Sequence, residues 1–295
     1  MDGVNIIKLE TDGIQSSQRL IILEGATGSG KTALAIEWAL KHNTEIISAD
    51  SRQIYKELNI GVARPGETEL AVVPHHFIAC KSIHDYFSVY NYQKEVLALL
   101  ERLFKKHDTV ILTGGTGLYI NAVCNGIDEF PDPDPILRNR LKEMDLDTLR
   151  AQLKLLDPDF YKEIDINNPA RIIRALEVCY TTGKSYSEQR RNCKYQRPFA
   201  IERYAIDRPR KELFERIEKR VEIMLDEGLE DEARSLHKYS SLTALQTVGY
   251  RELFDYFNGK ISREQAIADI KTNTRRYAKR QMTWLRHEGF DVGIK

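Results

Sequence analysis

The segment Gly25, Ala26, Thr27, Gly28, Ser29, Gly30, Lys31, Thr32 constrains this chain more than any other, because it fits G-x-x-x-x-G-K-[ST] in the context that gives the pattern a mechanism. Ahead of it Leu20 to Glu24 (LIILE) is a short apolar run, and behind it Thr32 to Leu40 is rich in helix formers. Strand, glycine loop and helix start in that order aim backbone N–H groups and the positive end of a helix at one point. Lys31 adds a mobile full charge and the Thr32 hydroxyl can ligate Mg²⁺. The eight residues 25 to 32 therefore imply a phosphorylated ligand. A glycine turn with no ligand is the plainer alternative, and both flanks argue against it.

The same texture extends outward. Glu45 to Ser48 (EIIS) and Thr109 to Thr113 (TVILT) repeat the short apolar run, while Tyr92 to Phe104 carries Val96, Leu99, Leu100 and Leu103 at helical spacing. Strands alternating with helices predict an α/β fold with a parallel sheet covered on both faces. After Gly126 the pattern breaks: PDPDP at 131 to 135 punctuates the chain, and amphipathic stretches without a strand signal run to about Tyr195. FAIERYAI at 199 to 206 then restores a β-like run. Three parts are expected: a disordered lead-in over 1–18, a catalytic core over 19–125 and 200–295, and an inserted helical domain over 126–199.

Composition excludes some classes. No apolar run reaches the roughly 18 residues of a membrane span, and Ile6 and Ile7 are too short a pair for a signal peptide. Cys80, Cys124, Cys179 and Cys193 form no C-x-x-C, so reduced thiols in the cytoplasm are the expectation. Net charge is zero, which by itself argues against nucleic acid, but the charge is sorted. Asp128 to Asp165 holds eleven acids against six bases, whereas Lys271 to Arg286 holds six bases and no acid.

Within this frame several residues carry chemistry. Asp50 follows directly on an apolar run, at the carboxyl sheet edge where ligands of open α/β sheets bind. It can serve as magnesium ligand, base or helix cap. Thr113, Gly114, Gly115, Thr116 and Gly117 end the third run in a second glycine turn at the same edge. No other apolar strand ends in the acid of a nucleotide hydrolase, so the loop speaks for a diphosphate more than for ATP hydrolysis. Arg276 and Arg280 at i, i+4, and Arg275 with Lys279, give the C-terminal segment a cationic face over an apolar stripe of Ala278, Met282 and Leu285. That face is either a solvated surface or a polyanion contact. Arg171 and Arg174 extend a basic strip or flank a core helix with Ile172, Leu176 and Val178 inward, and Arg216 shares a helix face with Arg220. The seven histidines lack partners at ligand spacing and read as structural.

Seven segments together resemble the tRNA dimethylallyltransferase family, in its bacterial form. They are GATGSGKT at 25–32, ADSRQIY at 49–55, GVARP at 61–65, TGGTGLY at 113–119, NNPARIIRALEV at 167–178, QTVGYRE at 246–252 and RRYAKRQMTWLR at 275–286. Ala26 departs from the proline usual in the family, and Val62 and Arg64 from threonine and lysine. The resemblance implies a P-loop NTPase-like fold and a phosphate loop that holds dimethylallyl diphosphate, with Mg²⁺ on Thr32. It implies that Asp50 meets the adenine amine and that Thr116 and Arg220 help bind the diphosphate. It further implies that an adenosine beside the third anticodon base is flipped into a channel. The inserted domain would grip the anticodon stem through Arg138 and the segment Ala170, Arg171, Ile172, Ile173, Arg174. Asp50, Ser51, Arg52 and Gln53, with Gly249, Tyr250 and Arg251, would lie near the anticodon loop, and Arg276 and Arg280 on phosphates. A monomer is expected.

Three rivals share parts of this pattern. A P-loop kinase uses the same loop and acid but gives the basic helix and the insertion no task. An RNA-binding protein with a relict loop has no reason to keep Lys31, Thr32, Asp50 and Thr116. An enzyme that prenylates free AMP does not need the insertion.

Overall fold

The apolar runs at 20–24, 45–48 and 109–113 become strands and the leucine-spaced run at 92–104 becomes a helix in a computed structural model that describes residues 5–9, 16–191 and 194–293. Two compact units form: Met1–Asn125 with Gln196–Lys295, and Gly126–Tyr195. The first opens with β1 (Asn5–Leu9), β2 (Arg19–Gly25), α1 (Lys31–Lys41), β3 (Ile46–Ser48), α2 (Glu67–Val72), β4 (His75–His76), α3 (Val89–Leu103), β5 (Thr109–Thr113) and α4 (Gly117–Asn125). The second holds α5 (Pro135–Lys142), α6 (Leu146–Leu156), α7 (Pro158–Glu163), α8 (Pro169–Thr182) and α9 (Tyr186–Gln189). The first then resumes with β6 (Ala200–Asp207), α10 (Arg210–Asp226), α11 (Leu229–Leu236), α12 (Tyr250–Phe257) and α13 (Arg263–His287).

The sheet order is β1-β6-β2-β5-β3-β4, parallel except for β1. Leu20, Ile22 and Leu23 of β2 are wholly buried, which is why that strand reads as an unbroken apolar run instead of an alternation. Register matters for function. Leu23 pairs Thr113 and Ser48 pairs Thr113, so β2, β5 and β3 end side by side. The loops that follow them, starting at Ala26, Ala49 and Gly114, share one edge of the sheet.

Two boundary expectations are corrected. The lead-in over 1–18 is not disordered throughout: Asn5 to Leu9 pair antiparallel with Asp207 to Arg203, and Ile7 and Leu9 pack against the cluster of Ala205 and Leu213. Alternate apolar residues make a strand once a partner edge is present, a condition that lies far away in sequence. Residues 1–4 and 10–15 lie outside the described residues, as does Cys193. Residues 196–199 belong to the first unit, not to the insertion. Arg197 donates to the carbonyls of Ala122 and Val123 at 3.0 and 2.7 Å, and the Phe199 ring lies 5.2 Å from Phe104.

The helical unit packs Leu141, Leu149, Leu153, Ile172, Ala175 and Leu176 into its own core. Part of its acidic excess serves as helix caps. Asp134, Asp145 and Asp157 accept backbone N–H bonds from Ile136, Thr148 and Phe160 at 2.8–3.0 Å, and Pro135, Pro158 and Pro169 open three of the helices. In the first unit a buried charge cluster ties the sheet to the C-terminal segment. Arg203 on β6 donates to Glu24 on β2 at 2.8 Å and to Glu288 at 2.7 Å, and Glu24 is 2% exposed. Among the described residues no helix is long and apolar enough to cross a membrane.

Candidate active site

The loop between β2 and α1 turns through Gly28 and Gly30 at φ +83° and +97°, left-handed conformations that cost other residues strain. Gly30 is the N-cap of α1, so first-turn amides and the helix's positive end face the same space. Thr27, Gly28, Gly30, Lys31 and Thr32 line a cavity of about 450 Å³. Gly25, Ala26 and Ser29 build the turn behind it: Ala26 and Ser29 are 1% exposed, and the Ser29 amide donates to the Ala26 carbonyl at 3.1 Å.

Cations converge on this cavity from α10. Arg216, Lys219 and Arg220 line it with Lys31, against the carboxylates of Asp50 and Glu69. Arg216 Nε donates to the Gly28 carbonyl at 2.9 Å, Arg208 Nε to the Ser29 carbonyl at 2.6 Å, and Arg220 to the Thr27 hydroxyl. Lys31 Nζ folds back onto the carbonyls of Gly25 and Ala26 at 2.8 and 2.9 Å. Burial, joined by the nearby Arg220 charge, pushes the Lys31 ammonium down to about 8, against the pull of Asp50 and Glu24. Burial and Arg216 lower Arg220 in the same sense. Such a concentration of desolvated positive charge favours a polyanion.

Asp50 follows β3 by two residues. Its Oδ1 accepts the amides of Arg52 and Gln53 at 2.8 and 3.2 Å, so the carboxylate caps a turn and also lines the cavity. A second cavity of about 110 Å³ adjoins the first. Its walls include Arg52, Val221, Met224, Thr247, Gly249 and Thr274. The two share Thr27, Asp50, Val62, Ala63, Arg220 and Tyr277. The Asp50 carboxylate thus stands where a larger cationic space meets a smaller one of mixed polar and apolar walls. Burial and Asp50 raise the Tyr277 hydroxyl, so it remains a neutral phenol.

Several expected site residues sit elsewhere. Thr116 does not line either cavity; its hydroxyl accepts the Ser51 amide at 3.0 Å and donates to the Ser51 hydroxyl at 3.3 Å, holding the turn that carries Asp50. Tyr250 is fully buried and donates to Glu232 at 2.6 Å, which removes it from any RNA-facing surface. Gly249 does line the second cavity and Arg251 is half exposed. Gln53 faces the larger cavity. Arg276 and Arg280 are exposed on α13, whereas Arg275 pairs with Glu218.

In the helical unit, the Ile172 side chain is wholly buried and Ile173 packs on the same core, so neither presents a side chain to a ligand as expected. Arg138 is engaged with the buried Glu177 at 2.7 Å, and Arg174 donates to the Pro131 carbonyl at 2.9 Å. Ala170 and Arg171 are exposed.

Sequence reasoning missed Gln281, Lys219 and Arg208. Gln281 accepts the Thr27 amide at 2.7 Å and donates to the Gly115 carbonyl at 2.9 Å, joining the two glycine turns. A glutamine on the otherwise apolar stripe of Ala278, Met282 and Leu285 was the signal for it. For magnesium, the Thr32 hydroxyl is a suitable hard-oxygen donor on the cavity wall. Among the described residues no group of three or more His, Cys, Asp or Glu stands ready to hold a metal.

Fold and site together define a phosphate-loop protein of P-loop NTPase-like architecture whose cationic cavity suits a polyanion, with Asp50 at the border of a second cavity. The sequence profile of IPP transferase matches residues 53–288. The tRNA dimethylallyltransferase 1 of Phocaeicola vulgatus is 47% identical over 273 residues, 91% of each chain, and the tRNA dimethylallyltransferase of Christiangramia forsetii is 46% identical over 276. Among solved structures, the tRNA isopentenylpyrophosphate transferase of Bacillus halodurans superposes with a TM-score of 0.64 at 34% identity, over 91% of this chain and 87% of that one. A eukaryotic dimethylallyltransferase acting on tRNA reaches 0.73 at 28% identity, over 91% and 70%. The chain belongs to the IPP transferase family.

Proposed function

We propose that the chain transfers a dimethylallyl group from dimethylallyl diphosphate to the exocyclic N6 amine of the adenosine adjacent to the third anticodon base of tRNA, releasing diphosphate. The observation that carries this reading is Asp50 at the junction of the two cavities. The larger takes the donor with its diphosphate on the loop, and the smaller takes the extruded adenine. An adenine amine is a weak nucleophile because its lone pair is delocalised into the ring. As the new C–N bond forms and the allylic C–O bond breaks, the amine proton passes to the free oxygen of Asp50, an effect worth roughly 10²- to 10⁴-fold.

The departing diphosphate carries the electron pair, so charge accumulates at the loop, where Lys31, Arg216, Lys219 and Arg220 stabilise it. Thr32 would hold magnesium together with donor phosphate oxygens, and the metal when bound screens that same charge. Extruding the base costs a few kcal/mol, which RNA contacts must offset. We assign these to Arg52, Gly249 and Arg251, to Arg276 and Arg280 on α13, and in the helical unit to Arg171 with Ala170. The protein acts as a monomer in the cytoplasm in this reading.

The test is direct. The protein is incubated with dimethylallyl diphosphate, Mg²⁺ and an anticodon stem-loop bearing the adenosine, and the RNA is weighed by mass spectrometry. A gain of one dimethylallyl group on that nucleoside is expected. Turnover of ATP on a small molecule with no gain in RNA mass would replace this reading with a kinase.

A further inference from the structure

Together with Thr27, Asp50, Arg220 and Tyr277, part of the boundary between the two cavities is formed by Val62 and Ala63, which line both. They belong to a single 3₁₀ turn at Ile60–Val62 and the left-handed Ala63 at φ +48°. Such a turn is weak by itself, and its first amides have no partner inside it. Here they have one outside it. The Glu232 carboxylate of α11 accepts the amides of Asn59 and Ile60 on Oε2 at 3.2 and 2.9 Å, and that of Gly61 on Oε1 at 3.0 Å. The buried Tyr250 hydroxyl donates to the same Oε1 at 2.6 Å. From the cavity side, Gln53 Nε2 donates to the carbonyls of Val62 and Ala63 at 3.2 and 2.9 Å.

The packing leaves this turn one position. A Cβ on Gly61 would stand 2.6 Å from the Tyr250 ring, so the turn lies directly on the phenol. The Gly249 amide in turn donates to Glu252 at 2.8 Å, fixing the start of α12 that carries Tyr250. The QTVGYRE and GVARP segments are therefore two halves of one support.

We infer that Glu232 is a positioning residue for the transfer, setting the partition at which the adenine amine and the allylic carbon meet. The inference rests on the proposed reaction. It touches neither substrate: Glu232 lines neither cavity and acts through backbone amides that only a carboxylate can hold three at a time while also accepting a phenol. Displacing the partition by about 1 Å degrades the alignment of reacting atoms, which costs up to about 10²-fold in rate. The donor's diphosphate, held by the loop at 27–32, keeps its own contacts.

Glu232→Gln and Tyr250→Phe separate this role from a merely structural one. With anticodon stem-loop, dimethylallyl diphosphate and Mg²⁺, Glu232→Gln should lower kcat about 10- to 100-fold while the donor KM stays within about twofold. Tyr250→Phe, which deletes one of four bonds, should move kcat the same way by less. Amide exchange at residues 59–61 should quicken in both. A folded Glu232→Gln protein with wild-type kcat overturns the inference, and so does a Tyr250→Phe protein with faster exchange there and unchanged kcat. If the wild type prenylates no RNA, the reaction reading has failed and this role falls with it.

Discussion

Lys31 gives the sharpest prediction, because its ammonium is lowered from an ordinary value of 10.5 to about 8 by its own surroundings. Below pH 8 the free protein carries the charge that meets the donor's diphosphate; above it the charge is lost. At pH 9 about a tenth of the molecules retain it. The apparent kcat/KM for dimethylallyl diphosphate, which reports the free protein, should therefore fall about tenfold per pH unit above pH 8. A bound diphosphate restores the ammonium, so the break in kcat at saturating donor should move to higher pH. Lys31→Ala should raise the donor KM, slow the chemistry and flatten the alkaline limb, with RNA affinity unchanged. The assay is initial-rate prenylation of the stem-loop from pH 6.5 to 10 at saturating RNA. A wild-type profile flat across pH 8, or a break that persists in Lys31→Ala, refutes the reasoning.

Other perturbations follow from the geometry. Asp50→Asn keeps the Oδ1 that caps Arg52 and Gln53 but loses the base, so kcat should drop by about 10² or more with donor affinity near normal; collapse of donor binding, rescued by added Mg²⁺, would make Asp50 a metal ligand instead. Arg276→Gln with Arg280→Gln should weaken all substrate tRNAs alike and flatten the plot of log K against log salt by roughly 1 to 2 units, since each phosphate contact contributes about 0.7 to 0.9. An unaltered slope would make that helix face solvated surface. Arg203→Leu leaves Glu24 buried and uncompensated, and should cost about 3–5 kcal/mol in denaturant unfolding. Burial already raises the Glu24 carboxyl, and without Arg203 it rises further. A group so raised loses stability as pH climbs, so the deficit should shrink on acidification. A constant deficit between pH 5 and 8 would contradict this account.

What the sequence disclosed was whatever is encoded locally. The phosphate loop, the acid after β3 and the glycine turn after β5 are each a few consecutive residues, and the parallel sheet follows from their repeated context. Partnerships across long separations stayed hidden. Arg138 reads as a free cation until Glu177, 39 residues on, is seen buried beneath it. A matching segment names no side-chain direction either: in QTVGYRE, Gly249 reaches a cavity while Tyr250 turns into the core. Ile172 was already placed inward by helical spacing, and the structure sides with that spacing over the segment-wide RNA assignment. Lys219 was legible in principle, since it lies at i+3 from Arg216, on the same face as Arg220.

Strand β1 has a consequence for handling the protein. With it in place the sheet ends on one side in five residues bearing Lys8, which is charged and exposed, and on the other in the two residues of β4. Both borders are poor templates for another chain. A truncation starting near residue 16, chosen because the leading residues look dispensable, would uncover β6 along the five residues from Arg203 to Asp207 that β1 pairs with, and should make the protein more prone to self-association.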